Sequence, residues 1–84
     1  MYRIRVYEEV QATVATLPFE AHVAWIELLD ALELTPWNGE SQNARNPDGE
    51  VRRFVFGPGG AGLVVYLILE DQQLVDIVQV TWLG

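Results

Sequence analysis

Arg52 and Arg53 stand next to each other in the sequence Val51-Arg52-Arg53-Phe54-Val55-Phe56. A guanidinium offers a phosphate cationic stabilisation and offers no base. Neighbours on a strand point to opposite faces, so one arginine at most meets a partner while the other meets the covering layer or its edge. The plainer expectation for each is a surface ion pair, with Glu50 and Asp76 as mates. His22 is the one side chain whose ordinary pKa lies near neutrality. It follows Glu20 and Ala21, one helical turn before Ile26, and reads as a solvated helix residue. Glu8, Glu9, Glu27, Asp30 and Glu33 are spread along two helical stretches without a histidine companion. They read as a solvated face, and no metal is expected. The stretch from Gly57 to Gly62 has the composition of a phosphate cradle, but such loops lead into a helix and often carry a lysine. Here a strand pattern follows and the chain has no lysine, so the stretch reads as a hairpin link and no cofactor is expected.

Aromatic residues are the stronger candidates for contact. Trp37 sits in a polar stretch and Trp82 near the last residue, where burial is incomplete, and exposed tryptophan is enriched at binding hot spots. With Tyr66 they form the predicted protein-binding set. The alternative for each tryptophan is that it caps one end of a small core.

Charge narrows the partners. The chain has five Lys plus Arg, all arginine, against twelve Asp plus Glu, for a net charge of -7. Phosphate neutralisation supplies most nucleic-acid affinity, so direct nucleic-acid binding is not expected. The balance favours basic partners. There is no cysteine, hence no disulfide framework and no thiolate chemistry. No apolar run approaches the ~20 residues of a membrane span and the N-terminus lacks a signal-peptide core, which predicts a soluble cytoplasmic protein.

The elements that must position these residues follow from pattern. Residues 1–84 read as one domain. Tyr2, Ile4 and Val6 alternate with Arg3 and Arg5, the mark of a half-buried strand. Val10, Val14 and Leu17 form an apolar stripe on a short helix begun by Glu8-Glu9 and ended by Pro18. Phe19 to Leu34 reads as a longer helix with Phe19, Val23, Ile26, Leu28, Leu29 and Leu32 inward. Glu20, Glu27, Asp30 and Glu33 take its wetter side, and Pro36 stops it. Trp37 to Glu50, with its Asn, Gly and Pro, reads as a long loop. Three strands follow: Val51–Phe56, the unbroken apolar run Leu63–Leu69, and Leu74–Trp82. Their short links predict an antiparallel meander with Leu63–Leu69 at its centre. In the last strand Asp76, Val78 and Val80 are expected on one face, and Val75, Ile77, Gln79 and Thr81 on the other. That strand lacks Lys and Pro and is expected to present an open edge. The first strand is placed beside the central meander strand or its edge neighbour. The predicted fold is α+β, β-α-α-β-β-β, a small antiparallel sheet with a helix hairpin on one face.

The order, the size and the wording of Tyr2-Arg3-Ile4, of the helix pair ending at Leu34-Thr35-Pro36, of the Asn/Gly/Pro linker and of Val51 to Val80 resemble the RelE/ParE superfamily of type II toxin–antitoxin toxins. The resemblance spans nearly the whole chain, and apolar periodicity carries most of it. It implies an antitoxin that wraps the sheet and helix face. Catalytic members are ribosome-dependent mRNA endoribonucleases with basic residues on the second strand, an arginine early on the third, and Arg or His and a Tyr near the C-terminus. Arg52 and Arg53 match the second-strand positions and are weak catalytic candidates. The third-strand arginine falls on Leu63 or Val64, the C-terminal basic position falls on Trp82 or Leu83, and the terminal tyrosine has no counterpart. RNA cleavage needs a base and an acid as well as cationic help, and only the last remains. The resemblance therefore implies a toxin component that acts by protein binding, without nuclease activity. ParE-like members, which poison DNA gyrase, fit that pattern. The alternatives are a nuclease acting on the ribosome and a catalytically silent homologue with a regulatory or immunity role. The partners expected are an antitoxin, a second copy, or a target such as gyrase or the ribosome.

Overall fold

The computed structural model describes residues 1–43, 45–46 and 49–83. Pro47 and Asp48 of the expected loop, and Gly84, lie outside the described residues. Strand β1 (Arg3–Val6) leads into helices α1 (Glu8–Ala15) and α2 (Phe19–Leu34). A single 3₁₀ turn at Pro36–Asn38 and a two-residue strand β2 (Glu40–Ser41) come next. The meander β3 (Val51–Phe56), β4 (Gly62–Leu69) and β5 (Leu74–Trp82) follows. The sheet order is β1-β5-β4-β3-β2. The α+β class, the element order and the meander centred on β4 agree with the sequence. The sheet is mixed, because β1 lies parallel to β5 while every other pair is antiparallel.

Two expectations change here. The last strand presents no open edge, since β1 covers one side of it and β4 the other. The faces of β5 also switch partway along. Val65 pairs with Gln79 and Tyr66 with Ile77, leaving Val78 as an extra residue in a β-bulge. Val75, Ile77 and Val80 therefore all join the core, while Val78 is exposed and Gln79 turns outward.

Both helices lie on one face of the sheet. Their core joins Val10, Trp25, Leu28 and Leu32 to Phe56, Val64, Tyr66, Ile68, Val75, Ile77 and Val80. Trp25 meets Phe56 with ring centroids 5.7 Å apart, and Phe56 meets Trp82 at 6.1 Å. Leu28 and Leu32 of helix α2 face the core as expected, but its N-terminal half is turned so that Phe19, Val23 and Ile26 do not. Ala21, Trp25, Leu28 and Leu32 are its buried residues, spaced four, three and four apart. Phe19, Val23 and Ile26 are 79%, 43% and 60% exposed. His22 is half-buried rather than solvated, and its Nε2 lies 2.6 Å from the Val14 carbonyl, to which only a protonated nitrogen can donate.

Candidate functional site

The face of the sheet opposite the helices carries no helix among the described residues. Strand alternation and register place Val51, Arg53 and Val55 of β3 on it, beside Leu67, Val65 and Leu63 of β4. From β5 come Asp76, Gln79 and Thr81, and from β1 Arg3 and Arg5. Its centre is apolar, with Val65 9% exposed and Leu63 and Leu67 half-buried. A hollow of about 420 Å³ opens at its β3 end between Asn38, Gly39, Glu40, Arg53, Phe54, Val55 and Leu63.

Arg52 and Arg53 separate as strand alternation requires. Arg52 turns to the helix side and is 9% exposed. Its Nε donates to the Gly49 carbonyl (3.0 Å), and Nη1 donates to those of Gly39 (2.8 Å) and Trp37 (3.2 Å). Its guanidinium stacks over the Trp37 ring, 4.8 Å from the centroid. Arg52 thus fastens the segment between α2 and β3 to the sheet. Arg53 faces outward and bonds Glu40 at 3.3 Å, across the register of β2 and β3. Neither arginine pairs with Glu50 or Asp76 in the ion pairs of the described residues.

Asp76 belongs instead to Arg5. Arg5 Nε donates to Oδ1 at 2.6 Å and Nη2 to Oδ2 at 2.8 Å, while the Tyr7 hydroxyl donates to Oδ2 at 3.1 Å. Asp76 is only 3% exposed. The guanidinium bonds hold its carboxyl below the usual aspartate range, against the opposing effect of burial. No sequence pattern announces this cluster, because its members lie 71 and 69 residues apart and meet only through the parallel β1–β5 pair.

The predicted protein-binding residues separate as well. Tyr66 is completely buried and donates its hydroxyl to the Pro36 carbonyl at 2.6 Å, so it presents nothing to a partner. Burial pushes its pKa up to about 12. Trp82 packs inward against Phe56, and its Nε1 is buried without a hydrogen-bond partner among the described residues. Trp37 remains 36% exposed. Its Nε1 donates to Glu70 Oε1 at 2.7 Å, an oxygen that also accepts from the Tyr2 hydroxyl at 2.6 Å. These donors, Tyr2 foremost, lower the pKa of Glu70. No group of His, Asp and Glu residues able to hold a metal occurs among the described residues. No described helix is long and apolar enough to cross a membrane.

No family model and no curated protein matches the sequence. Solved structures do match. The isolated E. coli RelE toxin superposes with a TM-score of 0.79 at 10% identity, over all of this chain and 86% of that one. The intact E. coli RelBE toxin–antitoxin complex gives 0.79 at 12%, over all of this chain and 99% of that one. The archaeal RelE–RelB complex from Pyrococcus horikoshii OT3 gives 0.67 at 20%, over 99% and 96%. At such identities the likeness concerns the backbone, and the fold is that of the RelE toxins.

Proposed function

We propose that this chain is a RelE-fold toxin component of a type II toxin–antitoxin module, acting by binding protein and without nuclease activity. The observation that carries this reading is where the proton-moving side chains are. Tyr66 is buried on Pro36, and His22 is bonded to Val14 within the helix layer. Tyr7, which borders the open face, donates to Asp76. Arg5 is held by Asp76 and Arg53 meets Glu40, around an apolar centre of Leu63, Val65 and Leu67. Cleavage at a 2′-hydroxyl requires a base and an acid on the same face, and this face offers apolar contact instead.

Two of the similar structures are complexes of RelE with RelB. By analogy we assign this chain an antitoxin partner seated over the open sheet face and the exposed ring of Trp37. The test is induced expression with primer extension on total mRNA, in parallel with translation-extract assays. Growth arrest without new mRNA ends, relieved by the protein encoded next to this chain's gene, supports the reading. New ends that vanish in Arg53→Ala restore the nuclease alternative.

A further inference from the structure

The outward face of α2 is built unlike a solvated helix surface. Phe19, Val23 and Ile26 recur at spacings of four and three and are 79%, 43% and 60% exposed, while the core is satisfied by the opposite side of the helix. One turn beyond Ile26 the same stripe continues into Asp30 and Glu33, with Glu27 beside it. Neither helix has a basic residue in its last turn. Asp30 and Glu33 therefore approach the negative end of the α2 dipole with no cation to offset it, an arrangement unfavourable to the isolated domain. The ion pairs among the described residues, Arg5–Asp76 and Arg53–Glu40, both lie in the sheet. All five arginines lie outside the two helices, whose charged side chains are Glu8, Glu9, Glu20, Glu27, Asp30 and Glu33.

We propose that the outward face of α2 is a second docking surface, distinct from the open sheet face, and that its occupant is a basic amphipathic helix of another protein. Apolar side chains of the partner would cover Phe19, Val23 and Ile26, and its Lys or Arg would meet Glu27, Asp30 and Glu33. A second copy of this chain does not fit. Parallel α2 against α2 stacks Asp30 and Glu33 on their copies, and the antiparallel arrangement sets these carboxylates over Phe19 and Val23, near Glu20; neither supplies the cation that the acidic end lacks. The helix-in-groove mode needs apolar anchors at this spacing, and the charge end fixes the direction in which the partner lies.

The inference is independent of the reading of the sheet face and is tested separately. The full chain, labelled with ¹⁵N, is titrated with a synthetic amphipathic helix bearing a leucine face and a lysine/arginine face. The same helix with every cation replaced by glutamate is run beside it. The expected result is amide shift changes concentrated between Phe19 and Leu34, and at least about tenfold weaker binding of the acidic helix. Ile26→Ser and the double variant Asp30→Asn, Glu33→Gln should each weaken the basic helix by about tenfold. Glu8→Gln, on α1, should not. Ile26, Asp30 and Glu8 are exposed and Glu33 is half-buried, so circular dichroism and melting should show the fold intact, with the Asp30/Glu33 variant no less stable than the parent. Equal binding of the two helices overturns the proposal. So do shifts centred on Val55, Leu63 and Leu67, loss of binding in Glu8→Gln as large as in the Asp30/Glu33 variant, or a dimer that Ile26→Ser dissolves.

Discussion

Arg5 and Asp76 are register partners across the parallel β1–β5 pair, and two guanidinium nitrogens grip both oxygens of a carboxylate that is 3% exposed. The pair is the electrostatic fastening of the first strand to the last. Because the Arg5 side chain is itself 53% exposed, removing the acid frees a cation that water can solvate. Asp76→Ala should therefore cost about 1–2 kcal/mol, below the figure for a fully buried pair. Urea denaturation measures it. A midpoint unchanged from the parent would mean that the pair contributes nothing net.

Acid should loosen the same region. The folded-state pKa values of Asp76 and Glu70 both lie below their ordinary values of 3.8 and 4.5, chiefly through bonds from Arg5 and from Tyr2. For a depressed carboxyl the stabilisation is complete above the unfolded-state pKa and is lost as pH falls through the folded one. Melting temperature should hold steady above about pH 5 and drop progressively below pH 4. In Glu70→Gln the drop should be smaller, and Trp37 emission should shift as its indole bond to the carboxylate is lost. An identical acid profile in parent and variant would rule Glu70 out as a contributor.

Tyr66 behaves in the opposite sense. Its folded-state pKa is raised from 10.0 to about 12 by burial. The stabilisation it gives is complete below pH 10 and is lost as pH rises toward 12. Ultraviolet titration of the native protein should show one tyrosine that ionises only as the fold gives way, and Tyr66→Phe should remove that phase. The same variant deprives the Pro36 carbonyl of its donor and should cost about 1–2 kcal/mol.

Two isoleucines distinguish the faces. Ile68 is fully buried toward the end of β4, the central strand of the sheet, so Ile68→Ala should cost roughly 2–5 kcal/mol. Ile26 is 60% exposed, so Ile26→Ala should change stability by less than about 0.5 kcal/mol. Similar losses at both sites would contradict the orientation of α2.

The contrast between these two isoleucines also marks how far the sequence could be read. The unbroken run of β4 admits one interpretation, and the short links on either side dictate antiparallel neighbours, so the meander is legible. Helix α2 is apolar on two sides. Its period allows either Phe19, Val23, Ile26 or Ala21, Trp25, Leu28, Leu32 to face inward, and only the packing of Trp25 on Phe56 decides. The bulge at Val78 resists reading for a similar reason. One added residue reverses the faces of everything after it, and no residue type signals where it occurs. Strand β2 is two residues long and owes its pairing to the anchoring of its neighbourhood by Arg52, a contact between distant segments. The candidate face was hidden most, since Arg5, Tyr7 and Asp76 acquire meaning only once β1 lies against β5.

The parallel pairing of β1 with β5 also bears on the order in which the molecule can assemble during synthesis. Arg3 to Val6 leave the ribosome well before their strand partner, Leu74 to Ile77, which follows some 70 residues later. Until then the helix hairpin and the β3–β4 hairpin can form beside a first strand that has no ladder to join. The docking of β1 against β5 then joins an early segment to a late one, which closes a loop of some 70 residues and carries the corresponding entropic cost. A nascent chain stalled before Leu74 would expose Ile4 and Val6 together, and a chaperone or a neighbouring polypeptide would meet a strand that the finished fold withdraws.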